Sequence, residues 1–226
     1  MPPLLSVIIP VYNEEKTIRQ ILEKIEAIDI DKEIIVVNDA SSDKTAEILG
    51  SLRLAHIKIY THNANQGKGN AFRTGLKNSR GDIVIIQDAD LEYDPSEYYK
   101  LIGPVIDNRA DLVLGARFTM GYHGLIAHRI GNRFLTNFLN LLYGSDFNDV
   151  YTCYKAARRE VFNSFNLKSN DFALEQEIVA KALKMKLRIT EIPISYYPRS
   201  YAEGKKIRYH DAVVGIIQML RLRFSN

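Results

Sequence analysis

A single cysteine, Cys153, in 226 residues excludes an internal disulfide framework and any cysteine-cluster zinc site, and it fits a reducing compartment. No stretch approaches the ~18–20 consecutive apolar residues of a membrane-spanning helix. The apolar run Leu4–Val11 contains Pro10, has no basic flank and gives way to Tyr12-Asn13-Glu14, so it does not read as a secretory signal. There is no internal repeat, no low-complexity tract and no linker rich in Pro, Gly or Ser. The GxxxxGK[ST] loop is missing, and so is the GxGxxG fingerprint, which argues against a P-loop enzyme and a dinucleotide-dependent oxidoreductase. With 46% hydrophobic and 25% charged residues, the chain has the composition of an ordinary globular protein. Disordered, collagenous and integral membrane proteins are excluded.

Acidic residues are scarce in one place. The net charge is only +3, but residues 181–226 hold ten Lys/Arg against three Asp/Glu. That C-terminal fifth is a candidate surface for phosphates, nucleic acid or anionic lipid.

The first half alternates short β-branched runs with helical stretches. Leu5–Val11, Glu33–Asn38, Ile57–Thr61, Ile83–Gln87 and Leu112–Gly115 read as buried strands. Glu15–Ile28, Ser42–Leu52, Lys68–Asn78 and Ser96–Asp107 read as helices, with Ser42 as an N-cap and Pro95 in a first turn. Such alternation predicts an α/β fold with a mostly parallel sheet flanked by helices, whose ligands sit beyond the carboxyl ends of the strands. After residue 117 the pattern changes. Leu125–Tyr143 and Asp211–Arg223 read as amphipathic helices, Leu174–Lys184 as a helix, and Tyr151–Ala156 and Leu187–Tyr197 as strands. One elaborated domain over residues 1–226 is the expected organisation.

The residues that follow the strands carry the chemistry. Ile83–Ile86 runs into Gln87-Asp88-Ala89-Asp90-Leu91-Glu92. In extended backbone, positions two apart face one side, so Asp88 and Asp90, with Glu92, are candidates to converge on a hard divalent cation, Mg2+ or Mn2+. A solvated acidic turn is the bland alternative. Asp39, after the second strand, is placed to accept hydrogen bonds from a nucleobase or ribose, whereas Ser41–Asp43 reads as an Asx turn with helix capping. Asn65-Gln66-Gly67-Lys68-Gly69-Asn70 opens a helix whose N-terminus and lysine suit an anion. Arg117, Arg129, Arg133, Arg199, Lys205 and Lys206 would line a phosphate site if gathered, and a solvated surface if not.

Together, Ser6 through Glu14, Val36 through Asp43, Asn65 through Gly69 and Asp88-Ala89-Asp90 resemble the family 2 inverting glycosyltransferases of GT-A (Rossmann-like) fold. Gly115-Ala116-Arg117, Asp149 through Lys155, Phe172 through Glu177 and Arg199 through Ile207 are similar to the polyprenyl-phosphate branch, the dolichol-phosphate mannose synthases and their relatives. The resemblance covers nearly the whole chain, in the family's order. It implies a nucleoside pocket lined by Pro10, Tyr12, Glu14, Val37 and Asp39, and a donor contact from Lys68. It implies nucleotide and metal on Asp88 and Asp90, acceptor phosphate on Arg117 and Arg129, and Arg199 and Lys205 around the phosphates from a loop. Residues 1–117 would then be the nucleotide-sugar half and 118–226 the acceptor- and membrane-facing half. Three departures from the family pattern are expected. Its usual glutamine is Glu92 here, the serine expected shortly after Arg129 is replaced, and no membrane helix like the C-terminal ones of many relatives is expected within residues 1–226.

The implied activity is metal-dependent transfer of a hexose, from a GDP-mannose or UDP-glucose type of donor, to a polyprenyl phosphate with inversion. Asp90, Arg117 and Arg129 are the expected catalytic groups. Transfer to a hydroxyl would need a general base, for which Asp171, Glu175 and Glu177 are the candidates. The expected location is cytoplasmic and peripheral, with the two amphipathic helices on an anionic membrane face. A nucleotide-sugar-binding module without turnover is the alternative from another class. Nucleic acid is not an expected partner, because Asp88 and Asp90 would lie where its phosphates must. The loop Arg199–Ile207, with Gly204 and its polar run, is expected to be mobile without ligand.

Overall fold

Ile34–Val37 and Ile83–Ile86 are apolar at every position, so both faces of these strands must be covered. In the computed structural model, which describes residues 4–53, 56–118, 126–171, 173–199 and 209–224, they are central strands of a seven-stranded sheet. The strands are β1 (Leu5–Val11), β2 (Lys32–Asn38), β3 (Ile57–Thr61), β4 (Ile83–Ile86), β5 (Leu112–Ala116), β6 (Lys155–Arg158) and β7 (Ile189–Pro193). Their order is β3-β2-β1-β4-β6-β5-β7. Only β6 runs antiparallel to its neighbours β4 and β5; the other pairings are parallel. Six carboxyl ends therefore lie along one edge of the sheet, and the winding reverses between β1 and β4, the place where such sheets bind ligands.

Pro10 is compatible with a central strand for a specific reason. The carbonyl of Ile8 accepts the Gln87 N–H and that of Val11 accepts the Asp39 N–H. Pro10 thus turns its ring nitrogen toward β4, whose pairing with β1 has already ended at Ile8 and Ile86. No ladder bond is lost.

The helices are α1 (Ile18–Glu26), α2 (Thr45–Ser51), α3 (Lys68–Asn78), α4 (Tyr98–Ile106, after a 3-10 turn over Pro95–Glu97), α5 (Ile126–Tyr143), α6 (Arg159–Ser164), α7 (Leu174–Lys184) and α8 (Tyr209–Phe224). Helix α1 buries Ile18, Ile21, Leu22 and Ile25, the i, i+3, i+4, i+7 stripe of a core-facing helix. Helix α3 packs on β1 and β2, and α8 packs on α5 and α7.

The structure corrects four expectations. Residues 151–154 are not strand. Side-chain bonds anchor that segment instead: the Tyr154 hydroxyl donates to Gln87 Oε1 at 2.8 Å, and the Lys155 ammonium to the carbonyls of Val150 and Thr152. Strand β6 begins at Lys155, where Ala156 and Ala157 are small enough to lie under α4. The last strand is shorter than expected, Ile189–Pro193 within the 187–197 segment. Ser42 does not cap α2. The Thr45 N–H is capped by Asp43 Oδ1 at 2.9 Å, while the Ser42 N–H donates to Asn13 Oδ1 at 2.8 Å. Helix α1 starts three residues late, because the Glu14–Thr17 turn is built on bonds to the β2–α2 segment.

Burial pushes the fully buried Lys155 ammonium down from the ordinary 10.5 to about 8. Between those values the unfolded chain binds the extra proton, so stability rises with pH, and the cost is fully present below pH 8. Relative to Lys155→Met, the wild type is expected to gain about 3 kcal/mol across this window in urea melts. A pH-independent difference would count against it.

Candidate active site

Asp88 and Asp90 do not share a strand face as expected. Strand β4 stops at Ile86 and the chain turns, with Asp90 Oδ1 accepting the Glu92 N–H at 3.0 Å. The two acids therefore meet different cations. Asp88 receives Lys68, the first residue of α3, at 2.7 Å. Asp90 receives Arg199, beyond β7, at 2.8 Å. Lys68 also pairs with Glu175 of α7 at 2.6 Å. Burial opposes ionisation of Asp88, but Lys68 outweighs it and holds the carboxyl below its usual range. Burial, reinforced by the carboxylates of Asp88 and Glu92, pushes Asp90 up to about 7 despite Arg199. The turn is short of positive charge at Asp90.

Arg199 is held on several sides. Its Nη1 donates to Glu14 Oε2 at 2.9 Å and its backbone N–H to Glu92 Oε1 at 2.7 Å. The other oxygen of Glu92 accepts the Tyr196 hydroxyl at 2.7 Å. The Tyr196 ring lies 5.0 Å from the Arg117 guanidinium. Arg117, directly after β5 and buried, is gripped by Asp149 through Nε at 2.7 Å and Nη2 at 2.8 Å. Asp149 is in turn placed by Glu191 of β7, which accepts its N–H at 2.8 Å.

On the other flank, Tyr12 is exposed and Pro10 partly so, at the end of β1. Val37 is buried with Ile35 and Ala71, so its side chain belongs to the core. Asp39 has a full set of partners. Its Oδ1 accepts from His62 Nδ1 at 2.7 Å and from the Gln66 N–H at 2.9 Å, and its Oδ2 from the Gly67 N–H at 2.7 Å. A carboxylate only accepts, so His62 carries a proton on Nδ1, and its Nε2 lies 2.9 Å from the Thr74 hydroxyl. Asp39 thereby shapes the turn that presents Lys68.

That turn needs glycine. Gly67 has φ +86°, and a Cβ there would lie 2.0 Å from the Asn170 carbonyl oxygen. Gly67→Ala is expected to destabilise the fold by about 3 kcal/mol or more. Gly50→Ala, on α2 with open space around it, is the control expected to be neutral or stabilising by about 0.5–1 kcal/mol. Thermal melts of both variants decide the matter.

The structure thus brings together Glu14, Lys68, Asp88, Asp90, Glu92 and Arg199, with Arg117 joined through Tyr196. Arg129 stands exposed near the start of α5 and, among the described residues, makes no hydrogen bond or ion pair with this group. Lys205 and the segment around Gly204 lie outside the described residues. Of the three candidate bases, Asp171 caps the Ala173 N–H. Glu177 accepts from the N–H groups of Lys168 and Ser169 and pairs with Lys181. Glu175 alone of the three keeps a buried oxygen, Oε2, without a hydrogen bond. Tyr196, Glu191 and His62 are site-building residues that sequence reasoning missed.

Among the described residues no three His, Cys, Asp or Glu side chains converge into a ready metal centre. Asp88 and Asp90 nevertheless fit Mg2+ or Mn2+ of the kind held by one or two hard carboxylates together with substrate phosphates. The charge deficit at Asp90 points the same way.

Comparison with known proteins agrees with this architecture. Residues 6–165 match the family model described as Glycosyl transferase family 2. A low-salt glycan biosynthesis hexosyltransferase of Haloferax volcanii is 32% identical over 87% of this chain and 48% of its own length. A dolichol-phosphate mannosyltransferase of Pyrococcus furiosus is 29% identical over 88% of this chain and 58% of its own. A UDP-N-acetylglucosamine–dolichyl-phosphate N-acetylglucosaminyltransferase of Methanococcus voltae is 29% identical, covering 97% and 96%. The chain thus spans about half the length of some of these relatives. Glucosyl-3-phosphoglycerate synthase of Mycobacterium tuberculosis, solved with Mn2+, UDP and phosphoglyceric acid, superposes with a TM-score of 0.73 at 21% identity, over 98% of this chain and 78% of that one. That likeness establishes the GT-A fold.

Proposed function

The chain belongs to glycosyl transferase family 2 and is a glycosyltransferase, and from that premise we propose that it moves a hexose from a nucleotide sugar to a polyprenyl phosphate, with inversion and with help from a divalent cation. The observation that carries this reading is the facing arrangement at one sheet edge. Carboxylates at Asp88 and Asp90 stand beside Lys68 and Arg199, with Arg117 one aromatic ring away. Relatives named for dolichol phosphate acceptors support the acceptor class, and the Mn2+ and UDP complex of the structural neighbour supports the donor and the cation.

In this reading residues 1–117 take the donor. Tyr12 and the end of β1 bound the nucleoside, and Lys68 with Arg199 neutralises the leaving diphosphate. A bound Mg2+ or Mn2+ would be held by Asp88 and Asp90 and would supply charge stabilisation to that diphosphate. Arg117 and Arg129, in residues 118–226 and at their border, orient the acceptor. A phosphate monoester has a second pKa of about 6 and is largely dianionic at neutral pH, so no base need activate it. The new bond joins an acceptor phosphate oxygen to the anomeric carbon as the bond to the nucleoside diphosphate breaks on the opposite face. Incubation with a panel of nucleotide hexoses, divalent cation and short polyprenyl phosphates, read by mass and anomeric NMR, tests this. Retained anomeric configuration, or transfer to hydroxyl acceptors only, rejects it. The latter result would favour Glu175 as a base, since its Oε2 is the oxygen left over.

A lipid acceptor calls for a membrane surface. Among the described residues no helix is long and apolar enough to cross a bilayer. Helices α5 and α8 bury Leu135, Leu139 and Met219, yet leave Leu141 and Phe224 81% and 79% exposed, with Phe134 and Ile130 beside Arg129 and Arg133. Apolar and basic residues on one surface suit peripheral contact with anionic lipid. Salt-sensitive flotation with anionic vesicles is the expected result, and complete absence of binding removes the membrane part of the reading.

A further inference from the structure

A short strap, residues 196–199, runs between the acidic turn and Arg117, and Glu92 holds it at both ends. Its Oε2 accepts the Tyr196 hydroxyl and its Oε1 the Arg199 N–H, each at 2.7 Å. The Glu92 carbonyl accepts the Tyr197 N–H at 2.9 Å between them. Glu92 and Tyr196 are both buried, and Tyr196 forms a β-bridge with Tyr93. The strap carries two functional pieces. One is the Tyr196 ring against the Arg117 guanidinium. The other is the Arg199 side chain on Glu14 and Asp90.

We propose that Glu92 is a positioning residue that anchors this strap, and not a ligand of the divalent cation. The inference rests on the reading given under Proposed function. Asp90 and Glu92 differ in what each would leave behind on turning to a cation. Asp90 Oδ2 faces a guanidinium that keeps Glu14 as a second carboxylate partner. Exchanging one cation for another there strands no buried group. Glu92 uses both oxygens to accept hydrogen bonds from neutral donors, a backbone N–H and a buried phenol, each at 2.7 Å, and meets the Arg199 guanidinium only at 4.0 Å. Rotating it away would break both of these bonds at once, and the arriving cation offers no acceptor to either donor. Ions of this class are satisfied by one or two protein carboxylates plus phosphates, so nothing compels a third. Glu92 thus links the donor side, through Arg199, to the acceptor side, through Tyr196 and Arg117.

Two readouts test the assignment. The first is Mn2+ binding in the presence of UDP or GDP, followed by the EPR signal of free Mn2+. Asp90→Asn is expected to weaken binding at least about tenfold, and Glu92→Gln by less than about threefold. The second needs no cation: trypsin cleavage after Arg199, located by mass spectrometry. Glu92→Ala is expected to speed that cut about tenfold with or without Mn2+, and Glu92→Gln, which keeps one acceptor oxygen, by less. The inference is overturned if Glu92→Gln loses Mn2+ as far as Asp90→Asn does, or if Glu92→Ala is cut no faster than wild type. Should Glu92→Ala fail to fold, Glu92→Gln compared with Tyr196→Phe gives the same cleavage test, each being expected to loosen the strap. If the wild type neither binds Mn2+ with nucleotide nor transfers sugar, the functional reading fails on its own, and the cleavage rates still judge the anchor.

Discussion

Asp90→Ala is expected to lower cation-dependent sugar transfer by about 10²–10³-fold while leaving the melting temperature unchanged or higher. The two effects have one origin. Asp90 is buried at a turn that also holds Asp88 and Glu92, and its carboxyl is pushed up to about 7. An acid raised in the fold binds more protons there than in the unfolded chain, so its burial costs stability as pH rises from its unfolded value through 7. At neutral pH the substitution removes that cost. Arg199 loses one partner but retains Glu14 at 2.9 Å and the Glu92 bond to its backbone. A side chain that destabilises the fold yet is required for turnover is the ordinary signature of a site built for a ligand. Initial rates at saturating Mn2+ and a thermal melt of the same preparation decide the matter. An unchanged rate removes the carboxylate from the reaction, and a marked drop in melting temperature would recast it as a structural acid.

The split between what the sequence discloses and what it hides follows sequence separation. Strand β1 over Leu5–Val11, helix α3 over Lys68–Asn78 and helix α7 over Leu174–Lys184 are legible to the residue, because apolar spacing within each element sets them. Strand β6 is not. Lys155–Arg158 carries no alternation, and it becomes strand only because β4 and β5, more than 40 positions upstream, flank it on both sides. The site divides the same way. Residues that follow strands, such as Asp39, Asp88, Asp90 and Arg117, can be found from the topology rule alone. Their partners cannot. Asp39 is matched to Gly67, Lys68 to Glu175 and Glu92 to Tyr196 across separations of 28, 107 and 104 residues, and no periodicity announces such pairs. The expected shared strand face of Asp88 and Asp90 failed for a local reason. It assumed that β4 stays extended through residue 90, whereas the strand stops at Ile86 and the acids are distributed by a turn.

Arg117 raises a question that a single substitution would answer badly. Arg117→Met is expected to abolish transfer and also to cost about 3–5 kcal/mol, because it leaves the wholly buried carboxylate of Asp149 uncompensated. Lost activity in such a variant would say nothing about the acceptor. The double variant Arg117→Met, Asp149→Leu separates the two roles. Replacing both members of a buried pair by apolar groups of similar size is often neutral or stabilising, so most of the lost stability should return. Two terms work against full recovery here. Asp149 also accepts the Arg117 backbone N–H at 3.2 Å, and Tyr196 would lose the guanidinium beside its ring. Transfer should stay at least about 10²-fold below wild type, since no guanidinium then faces the acceptor phosphate. Urea melts and initial rates on the wild type, both single variants and the double variant complete the cycle. Recovery of activity along with stability would mean that Arg117 serves the fold alone. Recovery of stability without activity assigns the guanidinium to the reaction, with Asp149 and Glu191 as the groups that aim it.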